Sequence, residues 1–273
     1  MSNVKMKMNK KFIPYILMGL CVLAFGLYVL LTRGMWDHTP PRLTVPETVL
    51  KVPVRADEKA LLAGITAVDE TDGDVTGFVV VESVSDVYEG SRATVTYAAF
   101  DRSGNVSKGR RTLEYTDYQS PRFTLKEPLI FREGSGFDVF KAVGAVDSVD
   151  GVLDDKVKGT LVQGSGTVYE AGIHQVEFRV TNSLGDTTHL TMPVEVYTHE
   201  RFRRQIQLDQ YLIYLKRGEA FDPMSLIGRE SRGVPMDVDS DVNTEQPGVY
   251  SVIYTDQAGE IYGKTRLIVV VEE

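Results

Sequence analysis

The chain has 273 residues, 42% of them hydrophobic and 25% charged, with a formal net charge of −8 and a single cysteine. One cysteine excludes an intrachain disulfide, so any fold must be held by its apolar core. The acidic excess lies entirely beyond residue 34, where 25 basic and 38 acidic side chains give a net of −13, and this excludes nucleic acid as a general partner.

At the amino terminus a basic tail (1–11) carries Lys5, Lys7, Lys10 and Lys11 and leads into residues 12–32, which contain no charged side chain. Twenty-one helical residues would span roughly 32 Å, against a hydrocarbon core of about 30 Å. A transmembrane signal anchor is expected there, making the membrane a partner through 12–32. Four lysines before the segment and Arg33 after it favour a cytoplasmic amino terminus and an extracellular carboxyl terminus. Trp36 stands where an interfacial aromatic would. A cleaved signal peptide and a lipoprotein processed at Cys21 are the alternatives. Against them, the apolar run is long, and large Leu20 precedes the cysteine.

Pro40 and Pro41 end the juxtamembrane linker (33–40) and prevent a continuing helix. Pro41-Arg42-Leu43-Thr44-Val45 then opens a first domain (41–117), and Pro121-Arg122-Phe123-Thr124-Leu125 repeats that opening in a second (118–197). After a polar linker (198–205), Ile206-Gln207-Leu208 opens a third domain (206–273). Each domain contains an alternating strand that runs into a glycine-bearing turn: Val95–Gly104, Val176–Gly185 and Val252–Gly259. The terminal glycines are 81 and 74 residues apart, a period that fits one small sandwich per repeat.

Within Gln175–Thr181, strict alternation places Val176, Phe178 and Val180 on one face and Gln175, Glu177 and Arg179 on the other. Leu190, Met192, Val194 and Val196 repeat the pattern, and Pro193 marks an edge or a bulge. Leu267–Val271 closes the third domain. Gly90, Gly172 and Gly248 each precede the long strand, at a position where positive φ would reverse the chain. The predicted fold class is all-β: three tandem immunoglobulin-like β-sandwiches preceded by one transmembrane helix.

Several stretches carry a family resemblance. Val143–Leu153 with its Asp150-Gly151 turn, Ala171-Gly172-Ile173 and Val180–Gly185 resemble the bacterial immunoglobulin-like domains of pesticidal crystal proteins and Gram-positive surface proteins. The first domain matches through Ala67–Val75, and the third through Lys216–Pro223 and Pro247–Tyr250, without the Asp-Gly loop. The resemblance implies a sandwich fold and a role as a spacer or binding module.

Among candidate sites, Asp69, Glu70, Asp72 and Asp74 place four carboxylates in one loop, a start on the six to eight oxygens that calcium takes. The same residues would equally build a turn in which Asp side chains bind nearby amides. Asp237, Asp239 and Asp241 begin like a calcium loop but alternate with valine, as one wet strand face would. No cofactor is otherwise expected. His38, His174, His189 and His199 have no evident serine partner, and no G-x-S-x-G or H-E-x-x-H motif occurs, so no enzyme is expected. Arg201, Arg203 and Arg204 around Phe202 suit either a solvated linker or a contact with a partner. The expected function is a membrane-anchored bacterial cell-surface protein displaying immunoglobulin-like modules for binding or adhesion to a protein or glycan. The alternative is a scaffold subunit of an envelope assembly.

Overall fold

Strands form where the sequence alternates. The computed structural model describes residues 13–33, 37–163, 167–198, 206–258 and 261–273, and its strands fall in three successive sets. Trp36, His199, Phe202 with Arg201, Arg203 and Arg204, and Gly259 lie outside the described residues.

Helix α1 (Ile13–Arg33) forms on the apolar amino-terminal segment. Among the described residues no helix is long and apolar enough to cross a membrane. This corrects three expectations: the transmembrane anchor at 12–32, the membrane as a partner through it, and the single-pass placement with an extracellular carboxyl terminus.

The first set comprises β1 (Arg42–Thr44), β2 (Leu50–Val52), β3 (Thr66–Asp69), β4 (Gly73–Asp74), β5 (Val79–Val84), β6 (Arg92–Phe100) and β7 (Val106–Tyr115), with the four-residue helix α2 (Glu58–Leu61) between β2 and β3. They make a three-stranded sheet, β1-β3-β4, and a four-stranded one, β2-β7-β6-β5. Inward-facing Ala67, Val75, Val95, Tyr97 and Leu113 are fully buried, and the Tyr97 hydroxyl donates to the Leu61 carbonyl at 2.8 Å.

The second set repeats the plan with β8 (Arg122–Leu125), β9 (Ile130–Arg132), helix α3 (Val139–Ala142), β10 (Val143–Asp147), β11 (Gly151–Val152), β12 (Lys158–Gln163), β13 (Gly172–Thr181) and β14 (Thr187–Tyr197). Its sheets are β11-β10-β8 and β12-β13-β14-β9. Along β13, Val176, Phe178 and Val180 are buried, and along β14 so are Leu190, Met192, Val194 and Val196, as their alternation requires. Pro193 opposes Gln175 in β13, while β9 joins the other side of β14 only from Glu195 onward. The missing N–H therefore costs no ladder bond, because at Pro193 the strand is an edge.

The third set contains β15 (Leu212–Lys216), β16 (Asp237–Ser240), β17 (Gly248–Ala258) and β18 (Ile261–Glu272) in one sheet of order β15-β18-β17-β16. A single bridge, Leu208 to Ile227, and short 3-10 turns at Pro223–Leu226 and Arg229–Ser231 stand where the earlier sets have a second sheet. The sequence accounts for the difference, since no Asp-Gly turn is present here to fold one strand back on another. Gly90 and Gly172 have positive φ (83° and 151°), whereas Gly248 does not.

The chain divides into two compact units, one of residues 1–50, 56–84 and 94–113 and one of residues 51–55, 85–93 and 114–273. The second unit contains both the second and third sets. Strand β18 joins them because it is buried on both faces. Leu267, Val269 and Val271 enter the third set's core, while Ile268 and Val270 join the apolar cluster of the second. A strand covered on both sides is expected to be continuously apolar, which is what Leu267–Val271 is. Strand β15 behaves in the same way, with Leu212 and Tyr214 turned to one core and Ile213 and Leu215 to the other.

Candidate functional site

Two polar arrangements stand out, one in each unit. In the first unit, β3 ends at Asp69 and β6 runs out to Asp101. The carboxylate oxygens of Asp37, Asp69 and Asp101 converge to within 4.8 Å of one another. Asp69 Oδ1 accepts the amides of Thr71 and Asp72 (2.8 and 2.9 Å), which shapes the turn into β4. Asp101 Oδ1 accepts the Asn105 amide at 2.8 Å, and Asp101 Oδ2 accepts Asn105 Nδ2 at 2.7 Å. The same Nδ2 reaches the carbonyl oxygens of Asp37 and Thr39, holding the extended entry segment against this turn. Asp37 Oδ1 accepts the Thr39 hydroxyl and amide, which hold its carboxyl below the usual carboxylate range.

Of the four carboxylates singled out in the sequence, only Asp69 belongs to this group. Glu70 is exposed. Asp72 Oδ2 accepts the Arg102 amide at 2.8 Å. Asp74 Oδ1 caps the following turn by accepting the Thr76 amide at 2.9 Å, and hydrogen bonding from Thr76 lowers its pKa. Asp237 and Asp239 are exposed on β16 and Asp241 just beyond it, and none of them joins a convergent group among the described residues. Asp37 and Asp101 were missed because both are far from Asp69 in sequence. The usable signal was Asp101 itself, an acid in the repeated turn where the second repeat has Asn182.

In the second unit, a cleft of about 700 Å³ lies between the second and third sets, lined by Arg122, Lys126, Glu127, Gln207, Asp209 and Gln210 among others. Its walls are fixed. The Arg122 guanidinium meets both Glu272 oxygens at 2.7 Å and lies over the Tyr214 ring, 4.9 Å from its centre. The Tyr214 hydroxyl accepts the Phe123 amide at 3.0 Å and lies 3.3 Å from the Phe123 carbonyl oxygen. Burial pushes its pKa up to about 12. Elsewhere in this unit Glu195, buried on β14, receives Lys264 Nζ at 2.7 and 3.0 Å and an Arg266 Nη at 2.9 Å. Burial lowers the Arg266 pKa while the Glu195 carboxylate opposes that shift.

The histidines make other contacts. His174 Nε2 is 2.8 Å from the Glu170 carbonyl oxygen, and exposed His189 Nδ1 is 3.4 Å from a Glu177 carboxylate oxygen.

No protein-family model matches the chain, and no curated protein matches it. Solved structures similar to it include the CBM51-2 and INT domains of Clostridium perfringens ZmpB in complex with GlcNAc (18% identity, TM-score 0.23, 57% of this chain and 26% of that one). Others are the protocadherin gammaB4 extracellular domain (10% identity, TM-score 0.21, 86% and 50%) and mouse cadherin-23 EC22–24 (14%, 0.21, 85% and 99%). The chain thus spans about a quarter of the ZmpB structure's length. At these TM-scores the likeness carries no weight for function.

Proposed function

We propose that this chain is a non-enzymatic binding or adhesion protein of tandem immunoglobulin-like sandwiches, of the bacterial type its sequence resembles. Its second and third sets together present a preformed site for a protein or glycan. The observation that carries this reading is the polar cleft of about 700 Å³ between the two sets, its walls locked by the Arg122–Glu272 pair and by Tyr214. A cleft held by side chains from both sets needs no reorganisation to accept a ligand, which reduces the entropic cost of binding. The lining favours a polar ligand, because Arg122, Lys126, Glu127 and Asp209 offer charges of both signs. A binding role also suits His174 and His189, which engage a backbone carbonyl and an exposed carboxylate.

The test is binding of the full chain to a glycan array and to a panel of surface proteins, followed by two changes on exposed lining positions, Gln210→Trp to fill the cleft and Glu127→Lys to reverse a charge. A ligand whose binding falls at least tenfold in both variants, with melting unchanged, supports the reading. Binding that ignores both changes overturns it, as does turnover of any bound ligand.

A further inference from the structure

The turn after β3 has a counterpart after β10, and comparing the two isolates an imbalance of charge. Asp147 ends β10 as Asp69 ends β3, and its Oδ1 accepts the amides two and three residues on, at 3.1 and 2.6 Å. Asn182 occupies the place of Asp101. Each has its own amide bonded to the carbonyl four residues on, and each carbonyl accepts the amide of a glycine three residues on, Gly104 or Gly185. The amides of Arg102 and Ser183 likewise go to matching carboxylates, Asp72 and Asp150.

In the second set the knot closes on itself. Asn182 Nδ2 donates to Asp147 Oδ2 at 2.8 Å and to the Tyr118 hydroxyl at 2.8 Å, and Tyr118 donates to Asp186 at 2.6 Å. In the first set the carboxamide is replaced by a carboxylate, and that donor is lost. Asp69 is 4% exposed, yet its Oδ2 is buried with no hydrogen-bond partner, as is Asp37 Oδ2. Asp101, at 7% exposure, adds a third negative group. Among the described residues no lysine or arginine pairs with any of the three. Three carboxylates this close repel one another, and a buried orphan oxygen costs free energy, unless a positive charge enters.

We propose that Asp37, Asp69 and Asp101 form a calcium site, the cation standing where the Asn182 amide stands in the second set. The donors are all hard oxygens without nitrogen or sulfur, which selects calcium or magnesium over zinc or copper. Calcium is favoured because it tolerates irregular geometry, with solvent completing its coordination, whereas magnesium demands a near-ideal octahedron. Asp37 lies in the segment that enters the first set, so the ion would tie that segment to the β3 and β6 turns. Glu70 and Asp74 have no part in the site.

The experiment is calorimetric titration of the EDTA-treated full chain with CaCl2, with thermal melts alongside. One site in the 10⁻⁵–10⁻³ M range is expected, with the transition of the first set raised by at least about 5 °C at saturation. Asp101→Asn should abolish the response; its new amide would face Asn105 Nδ2, which donates to Asp101 Oδ2 at 2.7 Å in the parent, so its metal-free melt is recorded beside the parent's. Asp37→Asn, in an extended segment, should weaken binding at least about tenfold without unfolding the protein, and Glu70→Gln with Asp74→Asn should bind like the parent. No heat and no melting shift at about 5 mM CaCl2 would overturn the proposal. So would an equal response to MgCl2, or binding that survives Asp37→Asn and Asp101→Asn but is lost with Glu70 and Asp74.

Discussion

Replacing Glu195 by Gln removes a carboxylate shared by Lys264 and Arg266 and leaves the Arg266 guanidinium, whose side chain is 6% exposed, inside the junction of the second and third sets. At 2.9 Å and an effective dielectric of about 20, the gross attraction between Glu195 and Arg266 is about 6 kcal/mol. Desolvation of both groups cancels most of it, so the intact pair contributes little net stability. Breaking it from the acid side strands a buried cation and should cost about 3–5 kcal/mol. The arginine side is different. Arg266 Nε and one Nη are buried without partners, and Arg266→Met would leave Glu195 still bound by Lys264. That change should cost no more than about 2 kcal/mol. Urea denaturation followed by far-ultraviolet circular dichroism measures both, and hydrogen exchange along β18 localises them. The reasoning is wrong if Glu195→Gln costs less than about 1 kcal/mol, or if Arg266→Met costs as much as Glu195→Gln.

Tyr214→Phe removes the hydroxyl that serves the Phe123 amide and should destabilise the chain by about 1–2 kcal/mol in urea melts, with loosened exchange protection at β8. Alkaline titration tests the same residue. An unfolded tyrosine ionises near 10, whereas Tyr214 and Tyr254 are held protonated to about 12. The unfolded state therefore binds fewer protons over that interval, so stability should be fully present below about pH 10 and decline as pH rises to about 12, more shallowly in Tyr214→Phe. Gly144→Ala would place a Cβ 2.4 Å from Asp154 Oδ1 and 2.8 Å from Thr124 Oγ1. The Asp154 oxygen accepts the Ala145 amide, so the change should cost about 1–3 kcal/mol by thermal melt.

The strands were legible because burial on one face writes itself as alternation. Val176, Phe178 and Val180 needed nothing more than period two. Distance between partners is what hid the rest. Glu195 sits on the non-core face of β14, where an acid looks like ordinary surface until β18 arrives to cover it. Lys264 and Arg266 share one face of β18 by the same period, yet nothing local says that face meets another set. Asp69 was visible in its acidic loop, but its neighbours there, Glu70, Asp72 and Asp74, point elsewhere, and the residues that do converge come from positions 37 and 101. The apolar segment at the amino terminus was read correctly as a helix, while its expected passage across a membrane has been corrected above.

Because β18 serves two interiors at once, the last repeat is not an interchangeable bead. Severing the chain in the linker at 198–205 would bare Leu212, Tyr214, Ile268 and Val270 to water together, so neither fragment should behave as a well-mannered solitary protein. Recombination that swaps or duplicates repeats would have to carry the second and third as a pair.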